Sequence, residues 1–461
     1  MRKQLPSIVA ITASLALVPL TGCDLEVGDL NNPGLDDLEN NPTRSNISSA
    51  SVGLMIGNRR NRAAANGYVS QLGILGRESY NFDGADPRYI GELLAGTLQP
   101  GSPFGGNFWA GPYANMRLAN LVQRGVEQVA EFSPQEKAAI LGWSKTIEAT
   151  DLLEIAVTRD SNGAVIDTDR ELDAELAPVV SVEDTYTQIA KLLDEAAEHL
   201  SMAGAAFPFT PSPGYAGFNT PENYRKFNRG MRARVAVYAK DYPAAITALG
   251  DSFINDEAAT VAALNAGVSH VYSTNSGDAV NGLINRNIFA APSIVTDAQS
   301  NGATKDLRLT RKTTQVPPEM ARSSGGLSSD IRFTIYSGPT AALPIMRNEE
   351  LLLLRAEARW FTGNREGAID DLNVVRTVSG GLAEIMPEPT VDDDFLTALL
   401  YERRYSLLFE GGHRWIDTRR LGKIETLPLE VDGHQRNVRY PIPLAECNAR
   451  PGEPRCALGS S

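Results

Sequence analysis

A helix, a tight turn and a second helix occur twice in this sequence in one register. Tyr238-Ala239-Lys240-Asp241-Tyr242 leads into Ala245-Ile246-Thr247-Ala248-Leu249. Shifted by 123 residues, Phe361-Thr362-Gly363-Asn364 leads into Ala368-Ile369-Asp370-Asp371-Leu372, and Ala233 falls on Ala356. Small residues stand where the two helices of each copy meet, and Ala-Ile-x-x-Leu supplies a buried stripe. This is the tetratricopeptide pattern, in which each helix pair must stack on others to bury its apolar face. The repeat itself needs only about 34 residues, so long insertions separate the copies.

Further helix starts are well punctuated. Ser133-Pro134-Gln135-Glu136 offers an N-cap, a proline at the first helical position and a glutamate at the third, opening a helix to about Val157. Ser181-Val182-Glu183-Asp184 opens another, with Tyr186, Ile189, Leu193, Ala196 and Leu200 on one face. Thr220-Pro221-Glu222 opens a third, to about Lys240; Arg347 to Phe361 and Phe395 to Phe409 complete the set. The fold class is mostly α: a single domain over 43–461, with a tetratricopeptide-like helical scaffold over about 43–250 and 343–420. Three loop-rich insertions, about 76–106, 201–219 and 265–342, interrupt it. Their aromatic, Asn, Gly and Pro content points to packed functional loops.

The two ends carry separate information. Met1-Arg2-Lys3 followed by the short apolar stretch Ile8 to Val18 reads as a secretory signal over 1–22. It ends in Leu20-Thr21-Gly22-Cys23, which predicts cleavage before Cys23 and lipid on its thiol. Residues 23–42 read as an acidic tether. Without the signal the chain holds 41 cations against 56 anions, a formal charge of −15, which argues against nucleic acid as a partner. No run of 18 apolar residues follows, so the mature chain is not expected to span a membrane. Cys447 and Cys456 stand nine apart around two prolines and a glycine. After export they are expected to form a disulfide loop. Zinc is not expected there, because only His434 lies nearby.

Several blocks resemble the SusD/RagB family of outer-membrane lipoproteins. They are Asn107-Phe108-Trp109 with Tyr113 and Asn120, and Arg347-Asn348-Glu349-Glu350 through Arg355-Ala356-Glu357-Ala358. Leu372-Asn373-Val374-Val375-Arg376 follows, then Tyr401-Glu402-Arg403-Arg404 with Phe409-Glu410-Gly411 and His413-Arg414-Trp415-Ile416-Asp417, and finally Tyr440-Pro441-Ile442-Pro443. The doubled Gly411-Gly412 departs from the family pattern by one residue, and Gly76-Arg77-Glu78-Ser79 is only loosely like its Gly-Asp-Glu. The resemblance implies a SusD-like fold and a protein lipid-anchored at the outer membrane, facing the cell surface. It would capture a nutrient, most often an oligosaccharide, for a SusC-type TonB-dependent transporter. No cofactor, no metal and no catalysis are expected from the residues themselves. Two other readings stay open: a tetratricopeptide scaffold that binds proteins, with an open groove and no loop-built pocket, and a surface glycoside hydrolase.

Residue chemistry narrows these. The four histidines form no H-E-x-x-H arrangement, and no nucleophile elbow, Walker loop or Rossmann fingerprint is present. Two carboxylates in a cleft would serve a glycosidase, and composition alone does not decide that. The charged set that includes Glu349, Glu350, Arg355, Arg376, Glu402 and Asp417 reads as ion pairing between helices, since arginine forks onto carboxylates in planar pairs. Arg403, Arg404, Glu410 and Arg414 are accordingly assigned structural roles, and Trp109 and Trp415 are assigned to the core. Sugar sites pair aromatic platforms with polar side chains. Tyr80, Phe82, Asp83, Asp86, Arg88, Tyr89 and Phe104 form one candidate set; Tyr272 with Asn275, Asn281 and Asn285 forms the other.

Overall fold

The computed structural model describes residues 34–170 and 173–459. The signal, Cys23 and the first part of the tether lie outside them. Helices α1 (Leu35–Asn40), α2 (Arg44–Asn58) and α3 (Tyr68–Leu75) precede strand β1 (Ser79–Asn81). Four helices follow the first insertion: α4 (Ala110–Gln128), α5 (Pro134–Arg159), α6 (Val182–Met202) and α7 (Pro221–Tyr238). After α8 (Tyr242–Gly250) come β2 (Gly267–His270), β3 (Ile288–Ala290), β4 (Thr313–Gln315), β5 (Ile331–Phe333) and β6 (Leu343–Arg347). Helices α9 (Asn348–Phe361), α10 (Arg365–Val374), α11 (Asp392–Ser406) and α12 (His413–Arg420) close the scaffold.

Local chemistry sets the helix starts. At α5 the Ser133 hydroxyl accepts from the Glu136 N–H at 3.2 Å, and the Glu136 carboxylate accepts from the Ser133 N–H at 2.9 Å. The Ser181 and Thr220 hydroxyls cap α6 and α7 by accepting from the N–H three residues on, without the reciprocal bond. The folded body also begins earlier than residue 43. Helix α1 occupies the end of the stretch read as tether, because Leu38 is an apolar side chain that becomes buried, and α1 packs against α4.

The two repeat copies are α7–α8 and α9–α10. Their second helices start alike: the side chains of Asp241 and Asn364 accept from the N–H three residues on. The preceding left-handed residue is Gly363 in one copy and Lys240 in the other, where a side chain stands in a conformation that suits glycine better. The copies touch through α8 and α9, with the Tyr242 and Phe361 rings stacked at 4.9 Å.

Buried ion pairs clamp the second half of the scaffold. Arg347 reaches Glu349 at 2.6 Å and Glu410 at 2.8 Å; Arg403 reaches Asp417 at 2.6 Å; Arg234 reaches Glu350 at 2.6 Å. Arg420 joins Glu357 and Asp417, and Arg376 joins Glu402. Arg404 instead turns out to Asp297 at 2.7 Å, and Arg414 donates to the Arg77 carbonyl at 3.1 Å. Trp109 and Trp415 are buried. Cys447 and Cys456 are joined by a disulfide.

Strands are short and pair two by two, all antiparallel. β1 pairs with β3, setting Ser79 opposite Ala290, so the first insertion is stitched to the third. β5 pairs with β4 and β6 with β2. The second insertion is held otherwise. Trp143 of α5 lies at the centre of Phe207, Phe209, Tyr215 and Tyr224, with ring centroids 4.6–5.3 Å away, and donates to the Ser51 carbonyl at 2.9 Å. Those aromatics pin the insertion at both ends and leave Thr210 to Pro213 on the surface.

Candidate functional site

Two insertions and one helix enclose a cleft of about 540 Å³, within the roughly 300–1,000 Å³ typical of small-molecule sites. The C-terminal half of α2 presents Met55 and Ile56, and Arg59 caps its end. The pinned second insertion presents Pro211, Ser212 and Pro213. The segment after β2 presents Val271, Tyr272, Ser273, Asn275 and Asp278.

Arg59 organises the far wall. Its guanidinium donates to the Val271 carbonyl and to the Asp278 carboxylate, and lies 5.6 Å from the centre of the Tyr272 ring. Asp278 also accepts from the Ser273 hydroxyl at 2.7 Å and the Ala279 N–H at 2.8 Å. The Ser273 hydroxyl, with the backbone N–H and Arg59, holds the Asp278 carboxyl below its usual range. It is therefore an anion at neutral pH. His270, at the base, is held neutral: burial, then the nearby Arg62 and Arg59 charges, depress its pKa well below that of a free imidazole. Burial pushes the Tyr272 hydroxyl up to about 12.

Among the lining residues there is thus one ionised, paired carboxylate and one neutral imidazole. General acid–base hydrolysis of a glycoside needs two carboxyl groups in different protonation states, which this lining does not supply. What it does supply is an apolar floor of Met55, Ile56, two proline rings and Val271, rimmed by Asn275, the serine hydroxyls and the Arg59–Asp278 pair. Ile56 is 49% exposed, an apolar side chain left facing the opening.

The sequence-derived candidates divide. Tyr272 and Asn275 line the cleft. Asn281 is buried; its amide donates to the Ala341 carbonyl at 2.9 Å and its oxygen accepts from the Leu283 N–H at 3.0 Å. Asn285 accepts from the Asn287 N–H at 2.8 Å, closing a turn. In the first insertion the aromatics expected to form a platform are in the core instead. Tyr80 and Phe82 pack with Phe289, and Tyr89 packs on Phe104 at 5.1 Å. Tyr80 also donates to Glu430 at 3.0 Å. The physical reason is burial: a 31-residue insertion needs an apolar core of its own, and large rings provide it. Asp83 accepts from the Ala85 N–H, and Asp86 pairs with Arg88 at 2.7 Å, so both acids serve the loop's own turns.

Sequence reasoning missed Met55, Ile56, Arg59 and Pro211 to Pro213. The signal for the last group was present as Thr210-Pro211-Ser212-Pro213-Gly214, a rigid exposed turn between two aromatic anchors.

Among the described residues, no helix is long and apolar enough to cross a membrane. No group of three or more His, Cys, Asp or Glu there could hold a metal ion.

Known proteins place this geometry. Residues 297–452 match the model of the SusD family. No curated protein matches the sequence. Solved structures share its fold along most of its length. A SusD superfamily protein from Bacteroides vulgatus is 14% identical with a TM-score of 0.68, covering 88% of this chain and 97% of that one. A SusD-like carbohydrate-binding protein from Bacteroides fragilis is 16% identical with a TM-score of 0.67, covering 88% and 98%. NanU of B. fragilis is 18% identical with a TM-score of 0.64, covering 91% and 98%. Residues 297–452 thus carry the match to the SusD family, and the chain shares the fold of SusD-like proteins along most of its length.

Proposed function

We propose that this protein is a lipoprotein, acylated at Cys23 and held at the outer-membrane surface, that binds an organic nutrient and passes it unchanged to a SusC-type TonB-dependent transporter. An oligosaccharide is the favoured cargo, in keeping with the carbohydrate-binding relative from B. fragilis. The observation that carries the reading is the cleft: two insertions meet over α2 to make a walled site with an apolar floor and a hydroxyl- and amide-bearing rim. A sugar offers apolar C–H faces to proline and isoleucine, and hydroxyls to Asn275, Ser273 and the Arg59–Asp278 pair. A tetratricopeptide protein-binding scaffold would be served by an open groove instead. A hydrolase would need a second carboxyl group in the cleft.

Affinity should be modest, on the order of micromolar to millimolar, because desolvation and lost freedom offset much of the contact energy. The test is calorimetric titration of the mature protein with a panel of oligosaccharides and peptides, alongside gentle isolation from the native membrane. One glycan class should bind without turnover, Ile56→Asp should weaken it at least about tenfold, and a TonB-dependent barrel should co-purify with the acylated protein. Release of shorter sugars would replace this reading with the hydrolase. Undiminished binding by a folded Ile56→Asp protein would move the site out of the cleft.

A further inference from the structure

A second cavity, of about 380 Å³, opens away from the cleft, between α4, α5, α6 and the segment 166–169. At its base is Glu148, only 6% exposed. One of its oxygens accepts from the Gln123 amide at 2.8 Å. Its other oxygen has no hydrogen bond, and its carboxylate no ion pair, among the described residues. The cations within reach are committed elsewhere: Lys145 lies 2.7 Å from Glu195, and Lys191 lies 3.9 Å from the same carboxylate. Arg124 is taken by Asp169 and Glu39. A carboxylate buried without a cation is costly, and helices that only needed to pack would have an apolar side chain here. Around it stand uncharged hydrogen-bonding groups. The Gln188 amide has no partner among the described residues, and the Asn120 amide donates to the Thr168 hydroxyl at 3.0 Å, leaving its oxygen free.

We propose that this cavity is a second small-molecule site that takes an amino sugar in its ammonium form. Glu148 receives the ammonium, and the Asn120, Gln123 and Gln188 amides receive ring hydroxyls. Ile166 and Leu192 are the apolar lining residues against which the C–H face of one ring rests. The volume sits near the lower end of the range for ligand sites, which suits a single ring and not a chain.

The protonation state of Glu148 supports the assignment. Burial raises its pKa to about 7, with the Gln123 amide and Lys145 opposing that shift and Asp169 and Glu195 adding to it. An ammonium ligand requires the ionised form. Affinity should therefore rise with pH, by about fivefold between pH 6 and pH 7, as the ionised fraction grows.

The experiment is titration of the mature protein with glucosamine, and with glucose and N-acetylglucosamine as neutral probes. Glucosamine should bind at least tenfold more tightly than either neutral sugar. Glu148→Gln, which keeps the size and the Gln123 contact, should erase that preference while the melting curve shows a folded protein. Ile56→Asp, in the cleft, should leave glucosamine binding unchanged. Equal affinity for the three sugars, no glucosamine binding, or a preference that survives Glu148→Gln would overturn the proposal. So would loss of glucosamine binding in Ile56→Asp, which would place the amine in the cleft. The cleft reading stands or falls separately.

Discussion

Two groups of buried acids, of the same types and equally hidden from water, behave in opposite ways. In the α4–α5 region, burial pushes Asp151 up to about 7, although the Asn115 and Asn58 amides donate to it at 2.6 and 2.7 Å. Glu148 is raised to the same value. In the α9–α12 region burial also pushes upward, but Arg347 and Lys312 outweigh it at Glu349, and Arg403 and Arg420 outweigh it at Asp417. Both of these end at about 2. An amide dipole offsets part of the desolvation of a carboxylate; guanidinium contacts more than offset it at Glu349 and Asp417 and fall short of it at Asp371 and Glu154. The second half of the scaffold is thus cemented by charge. The first half holds carboxyls that remain sensitive to pH near neutrality.

The strongest way to break this contrast is Arg347→Ala, which strands Glu349 and leaves Glu410 with Lys312 alone. It should cost about 3–5 kcal/mol in urea unfolding at pH 7. The sign with pH is fixed by the depressed carboxyl. The stability Glu349 contributes is present above its ordinary pKa of 4.5 and is lost as pH falls towards 2. The penalty of Arg347→Ala should therefore shrink between pH 5 and pH 3; a constant penalty would contradict the assignment.

Glu148→Gln sharpens the other side. Between pH 4.5 and 7 the unfolded chain ionises this carboxyl while the folded chain keeps its proton, so its contribution to stability declines as pH rises across that window. A carboxamide does not titrate. The variant should be more stable than the parent by about 1–3 kcal/mol at pH 7 and close to it at pH 4.5, read from unfolding midpoints at the two pH values. A parent-like slope would show that Glu148 is charged in the fold at both.

The smallest effect belongs to Arg404→Ala. Arg404 meets Asp297, whose side chain is 49% exposed, so screening by water should hold the loss below about 1 kcal/mol. A loss comparable with that of Arg347→Ala would remove the distinction between buried and rim-lying arginines.

The sequence reading treated Arg403, Arg404, Glu410 and Arg414 as one set, and the structure separates them. Residue type signals pairing, but depth and partner depend on tertiary placement. The same limit explains the cleft. The starts of α5, α6 and α7 were legible because their caps are local. Helix α2 was not read at all: Arg44 to Asn58 is rich in Ser, Asn and Gly, weak helix formers held by packing. Without α2 there was no way to see Met55, Ile56 and Arg59 converge on a loop 150 residues downstream. Tyr80 and Tyr272 looked alike in sequence, each a loop tyrosine among polar neighbours. Both rings are buried; the pairing of β1 with β3 packs the first beneath its own loop, while the run from β2 sets the second behind the cleft wall.

That ladder between β1 and β3 also orders events in time. Ser79 cannot meet Ala290 until more than two hundred residues of chain are available. The helices α4 to α8 between them are built from near-neighbour contacts, which form fast, whereas distant pairings form slowly. The helical platform should therefore assemble first and the loop surface close over it last. During that interval the rings of the first insertion, later hidden, are open to water. A newly made chain would then expose its stickiest surface along the first insertion, where a chaperone would meet it.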